Sequence, residues 1–425
     1  MKVLYDAEIL GSIHKRRMPR TGLFRVVEEV AKGLGRSREC ELIFCASATY
    51  DGSRSYLAST KEFEGIPLSD PVPDRMIPAI LRNLEDSIQY RKSSRDLPLR
   101  MVRKALTGTA KLTGDWAAMH RVAHPSDLET ADIYHSGYYA FPDETRGHSN
   151  LRRFLTVFDL IPILHPEFVG GVTDHILRRI LDCLEPSDWV LAISESAKQD
   201  LCAYKKFDPS RVFVTPLAAN ATWFYPSRDA AVNAEVRARY GIPNAPYLLS
   251  LSTLEPRKNI DHVIRSFARL VAQQKLGDLH LVLVGAEGWD FDAIFEAREH
   301  ETDVRNRVIF TGYVPNEDLA MLYSGALAFV FMSLYEGFGL PPLEAMQCGA
   351  PVITSNNSSL PEVVGDAGIM LDARDADGLC QALLNLYNDQ ELRAEMSGKS
   401  LQRAALFSWK RCVELTLDAY RTALR

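Results

Sequence analysis

The chain has 425 residues, 46% of them hydrophobic and 24% charged, with a formal net charge of −6. That composition excludes a disordered chain, and the mild acidity excludes the broad basic surface of a general nucleic-acid binder. Its length sets a prior of two to three domains.

The chain opens on Met1-Lys2-Val3-Leu4-Tyr5-Asp6-Ala7-Glu8. Asp6 and Glu8 interrupt any apolar signal core, so residues 3–5 read as a first buried strand. Leu23, Val26, Val27, Val30 and Leu34 then fall at helical spacing, and 42–45 is the next strand. Residues 47–130 are polar, with helical pieces that the pattern does not place. Strands resume at 132–134, 154–158, 189–193 and 212–215. Residues 217–245, with Pro226 and Pro243, read as a connector.

A second alternating series follows. Residues 247–251 form a strand, and Ile260, Val263, Ile264, Phe267, Leu270 and Val271 form one helix face. Further strands fall at 279–284, 308–311, 328–331, 351–354 and 369–371. Asn316 is expected to cap the helix of Leu319, Leu322 and Tyr323, with acids in its first turn. Strand–helix alternation implies parallel sheets, and two such series imply two doubly wound α/β domains facing a cleft. Ligands in such sheets sit at the carboxyl ends of the strands. Ser408 is the expected N-cap of a last helix with an apolar stripe of Trp409, Cys412, Val413, Leu417, Tyr420 and Leu424. Pattern alone leaves open whether this helix packs on its own domain or crosses back to the first.

The longest apolar stretch, at 326–332, is far short of the ~20 residues of a bilayer span. The seven cysteines are scattered without a CxxC pair and read as buried small hydrophobes in a reducing compartment. The expectation is a cytoplasmic protein, or one peripheral to the inner face of the membrane, with no metal site and no cofactor.

The most informative run is Tyr335-Glu336-Gly337-Phe338-Gly339-Leu340-Pro341-Pro342-Leu343-Glu344, directly after a strand. The prolines suit a helix's first turn, where a missing N–H costs nothing. The glycines let the backbone approach a ligand closely. A helix start offers free N–H groups and a positive dipole end for a phosphate. Glu336 before the turn and Glu344 inside the helix lie about two turns apart, on the order of 10 Å. One can meet a sugar and the other a ribose. Taken singly, each glutamate reads as a solvated side chain; the joint pattern points to a nucleotide diphosphate sugar.

A second run, Leu251-Ser252-Thr253-Leu254-Glu255-Pro256-Arg257-Lys258-Asn259, ends the first strand of the second series. Arg257 and Lys258 at a helix start oppose its dipole. A bound diphosphate would relieve that local conflict.

These runs resemble the retaining glycosyltransferases of family 4, which have the GT-B fold. The resemblance is close over 247–412 and looser before it. It implies that Glu336 and Glu344 are the family's Glu-seven-residues-Glu pair, and that Arg257 and Lys258 are its diphosphate cations. Thr253, Gly337, Phe338, Gly339 and Leu340 are then donor-binding, as are Gly312, Tyr313 and Val314 of Thr311-Gly312-Tyr313-Val314 near the base. Ser358-Ser359-Leu360-Pro361-Glu362-Val363 also follows the family. In the first domain, Asp159 of Thr156-Val157-Phe158-Asp159-Leu160 matches a catalytic segment in which Phe158 replaces a histidine. His135 of Ile133-Tyr134-His135-Ser136-Gly137 resembles a histidine presented to the donor sugar, and reads equally well as a satisfied, half-buried one. Arg20-Thr21-Gly22-Leu23-Phe24-Arg25 replaces the family's glycine-rich loop; Arg20, Thr21, Gly22 and Arg25 are assigned to acceptor or phosphate. The resemblance also favours the crossing of the last helix.

The implied division is an acceptor-binding domain at 1–217 rejoined by 408–425, a linker at 218–245, and a nucleotide-sugar domain at 246–407. The implied activity is metal-independent transfer of a hexose, best matched by mannose from GDP-mannose, with UDP- and dTDP-sugars behind it. The acceptor is a saccharide or a lipid-linked saccharide in surface polysaccharide synthesis. A nucleotide-sugar epimerase of the same fold and a catalytically silent sugar-nucleotide binder are the alternatives. Residues 91–121 carry eight basic and two acidic side chains, a net +6. They read either as a solvated helical face or as a patch for anionic membrane.

Overall fold

The computed structural model describes residues 1–16, 22–72, 80–81, 97–170, 174–301 and 304–425. Arg20 and Thr21 lie outside them.

Two six-stranded, all-parallel sheets dominate the fold. The first contains β1 (Lys2–Asp6), β2 (Glu41–Cys45), β3 (Ile133–Ser136), β4 (Arg152–Val157), β5 (Trp189–Ala192) and β6 (Val212–Val214), in the order β2-β1-β3-β4-β5-β6. The second contains β7 (Tyr247–Leu251), β8 (His280–Val284), β9 (Val308–Gly312), β10 (Ala328–Phe331), β11 (Val352–Ser355) and β12 (Ile369–Leu371), in the order β12-β11-β10-β7-β8-β9. Strand order reverses between β1 and β3 in one sheet and between β7 and β10 in the other. A crevice opens at such a switch point beyond the carboxyl ends of the strands. Helices cover both sheets, so strands such as Ala328–Phe331, AFVF, are buried at every position.

Residues 47–130 hold helices at Tyr50–Ser59, Leu97–Leu112, Asp115–Met119 and Pro125–Thr130 among the described residues. The helix Pro125–Thr130 is only six residues long, too short to show a period, and is capped by the His124 side chain. Asn316 is not a cap: it is the first residue of the helix Asn316–Gly325, with Pro315 at the cap position. Its side chain is used elsewhere.

The last helix, Trp409–Ala423, is capped by Ser408, whose hydroxyl accepts from the Arg411 N–H. It crosses back and packs on the helix Gly22–Arg36 and on β5 and β6. The approach is close: a Cβ on Gly33 would stand 2.2 Å from Val413 Cγ2. Tyr420 is fully buried there, with its hydroxyl 2.6 Å from His135 Nδ1. One hydrophobic core runs continuously from Val3, Val27 and Tyr420 to Phe338, Leu343 and Leu360 across the two sheets.

Candidate active site between the two sheets

The crevices of the two sheets face each other around a cavity of about 590 Å³. Gly22, Leu23 and Arg25 line it from one helix start, and Phe158 and Asp159 from the end of β4. The far wall is Thr253, Arg257 and Lys258 after β7, Gly285 and Ala286 after β8, Tyr313 and Val314 after β9, and Glu336–Leu340 after β10. Glu344 closes one end. Gly312 is adjacent but does not line the cavity; its carbonyl accepts from the Gly285 N–H. A Cβ on Gly285 would stand 1.8 Å from the Ser252 carbonyl, so only glycine admits this approach of β8 to β7.

Arg257 and Lys258 occupy a short 3₁₀ turn, Pro256–Lys258, and the following helix begins at Ile260 after left-handed Asn259. The cations therefore precede the helix rather than sit in its first turn, and carboxylates offset them. Glu336 Oε1 lies 2.5 Å from Lys258 Nζ, and Glu336 Oε2 lies 2.9 Å from Arg257 Nη1. Glu255 holds the other guanidinium nitrogen of Arg257 at 2.7 Å. Burial alone would raise the Glu336 carboxyl, but Lys258 and Arg257 hold it down at about 2. Burial likewise works against the charge on Arg257, and Glu336 and Glu255 restore it. Burial pushes the Lys258 ammonium down despite Glu336. This is a desolvated charge cluster at the switch point of the second sheet.

Hydroxyl and amide groups hold its backbone in place. Asn259 Nδ2 donates to the carbonyls of Met332 and Ala373. Ser333 Oγ donates to the Arg257 carbonyl, and Ser359 Oγ to those of Glu336 and Phe338. Ser358 Oγ accepts from the Glu336 N–H. The Ser358–Ser359 pair thus shapes the glutamate loop from beneath. The helix Leu340–Gln347 then starts from Gly339, whose φ of 118° requires glycine.

Glu344 faces the cavity from that helix. Burial raises its carboxyl to about 7, with Arg25 and Tyr323 opposing the rise. Arg25 reaches across from the first domain: Nη1 lies 3.4 Å from Glu344 Oε1, and Nη2 donates to Asn316 Oδ1 at 2.6 Å. Three more contacts bridge the domains beside the glutamate loop. Ser194 Oγ donates to the Gly337 carbonyl at 2.7 Å. Glu362 accepts from the N–H groups of Glu195 and Ser196 at the start of the helix Glu195–Lys205. Tyr335 donates to Asp200 at 2.6 Å.

Asp159 lies against Gly337, where an added Cβ would meet the Phe158 carbonyl at 2.6 Å. Burial raises its carboxyl, and Arg257 opposes that rise. Asp159 and Arg257 also border a second cavity of about 410 Å³, walled mainly by apolar side chains such as Phe168, Leu177 and Trp289. Trp289, from the second domain, donates to the Phe168 carbonyl across the gap.

His135 is not in the cleft. It lies in β3, 1% exposed, with Nε2 2.8 Å from Thr156 Oγ1 and Nδ1 against Tyr420. Burial lowers it to about 3, so it is a neutral core histidine. The strand end points this side chain inward because β4 and the returning helix cover it. Sequence reasoning missed Ser194, Glu255, Trp289 and Asn259. Only Glu255 and Asn259 carried a signal, as neighbours of the cation pair. Among the described residues no group of His, Cys, Asp and Glu could hold a metal ion, and no helix is long and apolar enough to cross a membrane.

Residues 232–403 match the profile of the family described as glycosyl transferases group 1. The chain is 29% identical to O-antigen chain mannosyltransferase B of Escherichia coli, an alignment covering 99% of this chain and 100% of that one. It is 31% identical over 270 residues to the serotype-specific mannosyltransferase WbdA of Escherichia coli, but spans only 33% of that longer protein. Among solved structures, Anabaena HepE in complex with UDP superposes with a TM-score of 0.67 at 15% identity, covering 99% of this chain and 100% of that one. Sucrose-phosphate synthase of Thermosynechococcus elongatus gives 0.62 at 19% identity, covering 99% and 98%. With paired crevices, a cation–carboxylate cluster, a match of residues 232–403 to the group 1 profile and mannosyltransferase homologues, the chain is a glycosyltransferase enzyme of the GT-B fold.

Proposed function

We propose that the enzyme is a retaining, family 4 mannosyltransferase that moves mannose from GDP-mannose to a saccharide or lipid-linked saccharide in the synthesis of a surface polysaccharide. The observation that carries this reading is the buried Arg257–Glu336–Lys258 cluster facing the Gly339 helix start at the second sheet's switch point. Mannose is supported by the full-length similarity to O-antigen chain mannosyltransferase B.

In this reading residues 246–407 bind the donor, and residues 1–217 with the returning helix bind the acceptor. Arg257, Lys258 and the Leu340 N–H at the helix start take the diphosphate, since Pro341 and Pro342 have no N–H and that of Leu343 bonds the Gly339 carbonyl. Charge building on the departing phosphate is offset by groups already in place, the largest catalytic term in many enzymes. Glu336 exchanges part of its pairing with the two cations for sugar hydroxyls, and Glu344 accepts from the ribose. Thr253, Phe338, Leu340, Tyr313 and Val314 complete the donor walls. The bond from the anomeric carbon to the phosphate oxygen breaks while the acceptor oxygen bonds on the same face. The acceptor's proton passes to the leaving phosphate, so no protein base is needed. Asp159 faces the acceptor, which enters through the second cavity. The interdomain contacts exclude water and limit hydrolysis.

The test is nucleotide release over GDP-, UDP- and dTDP-sugars with acceptor mixtures, beside thermal shifts with GDP, UDP and dTDP. GDP-mannose turnover with a product of unchanged anomeric configuration is expected. Isomerised donor without transfer would identify an epimerase, and binding without turnover a silent sugar-nucleotide protein.

A further inference from the structure

The helix Leu97–Leu112 has two apolar faces. One turns inward, where Leu106 and Ala110 pack with Val72, Leu81 and Met119. The other turns outward. Met101, Ala105, Gly108 and Leu112 recur at i, i+4, i+7 and i+11, which is one stripe of an α-helix. All four are exposed, Met101 at 68% and Leu112 at 91%. Scattered exposed apolar residues are ordinary, and Val102 at 48% lies off this stripe; Met101 and Leu112 share it. Lys104 and Lys111, one heptad apart, run along one side of the stripe and are also exposed.

Charge says what covers this face. Residues 97–121 sum to +4, which leaves −10 on the rest of the chain. Asp115, the lone acid of 97–121, is buried. A second copy laid on this stripe by two-fold symmetry would set like-charged lysine flanks against each other. A negatively charged bilayer meets both features: acyl chains for Met101 and Leu112, head groups for the lysines. The −10 elsewhere is repelled from the same surface, so the cationic helix sets the orientation.

We propose that the helix Leu97–Leu112 docks the enzyme in the plane of an anionic membrane. This does not depend on the choice of donor. The experiment is sedimentation of the full chain with vesicles of phosphatidylcholine containing phosphatidylglycerol, against phosphatidylcholine alone. Binding to the anionic vesicles that weakens with salt is expected. Lys104→Gln with Lys111→Gln weakens it by roughly 25-fold, at about 5-fold per lysine. Met101→Glu with Leu112→Glu removes it, while the melting temperature stays at the parent value. Absence of parent binding, equal binding to neutral vesicles, or unchanged binding by both double variants would overturn the proposal. So would a dimer seen by ultracentrifugation that the Met101→Glu/Leu112→Glu change abolishes, since that assigns the stripe to a second copy.

Discussion

Glu336→Gln isolates the charge cluster while keeping the side chain's shape. This carboxylate is the shared counterion of Arg257 and Lys258, which hold its carboxyl down from 4.5 to about 2 against the opposing effect of burial. At about 1.4 kcal/mol per unit of pKa, the ionised form is favoured by about 3 kcal/mol. Breaking a buried ion pair by removing one partner costs a similar amount. For a unit of 150–250 residues, about 3 kcal/mol lowers the melting temperature by roughly 6–12 °C. The sign with pH follows from the lowered carboxyl. The parent has this stability fully above pH 4.5 and loses it as pH falls toward 2, whereas Glu336→Gln lacks that dependence. A diphosphate on Arg257 and Lys258 brings its own negative charge, so GDP should narrow the gap between variant and parent. Turnover should still fall by roughly 10²-fold or more, because the proposed hold of Glu336 on the sugar hydroxyls would be lost. Thermal unfolding with and without GDP, beside nucleotide release, reads all of this. A variant that melts with the parent, or a gap that GDP leaves unchanged, refutes the placement of the diphosphate on these two cations.

Arg25→Ala removes the cation facing Glu344, whose carboxyl at about 7 should then rise further. The donor KM should increase by roughly 3–10-fold and the pH midpoint of kcat/KM should move up, with a smaller change in kcat; an unchanged KM and midpoint would sink the assignment. His135→Ala should destabilise by about 2–4 kcal/mol and leave kcat within a few-fold. The parent's buried histidine resists protonation, so stability is lost as pH falls from 6.5 toward 3, and denaturant melts at pH 5 and 7.5 should show a flatter dependence in the variant. Gly337→Ala places a Cβ 2.6 Å from the Phe158 carbonyl and 2.9 Å from Asp159 Cβ. It should part the domains and cut kcat by roughly 10²-fold, with a larger radius by solution scattering; parent-like kcat would contradict the role of this contact.

The two alternating series could be read from hydrophobic pattern because helix-covered parallel strands are apolar throughout and separated by helical periods. The glutamate loop could be read because its glycines and prolines suit a helix start after a strand. The cation pair stood out for a dipole conflict that the structure does not contain, because both residues precede the helix and pair with carboxylates. Both runs still meet at one cavity. What could not be read depends on long-range partners. Nothing in residues 133–137 says that Tyr420 and Thr156 will enclose His135. Nothing local tells Ser194 or Trp289 from any other serine or tryptophan, since each acts through a carbonyl of the opposite domain. Arg25 was singled out, but its partners Glu344 and Asn316 lie 319 and 291 residues away.

The returning helix sets an order on the protein's own synthesis. Domains fold from the N-terminal side as the chain emerges from the ribosome. Here the first sheet is complete at Val214, yet the cover over its helix Gly22–Arg36 arrives only with Trp409–Ala423. Throughout translation of the second domain, the groove beside Gly33 and the ring nitrogen of His135 have no Val413 or Tyr420 to meet. A chain cut just before Trp409 would keep every strand of both sheets yet leave the helix Gly22–Arg36 and His135 without their cover.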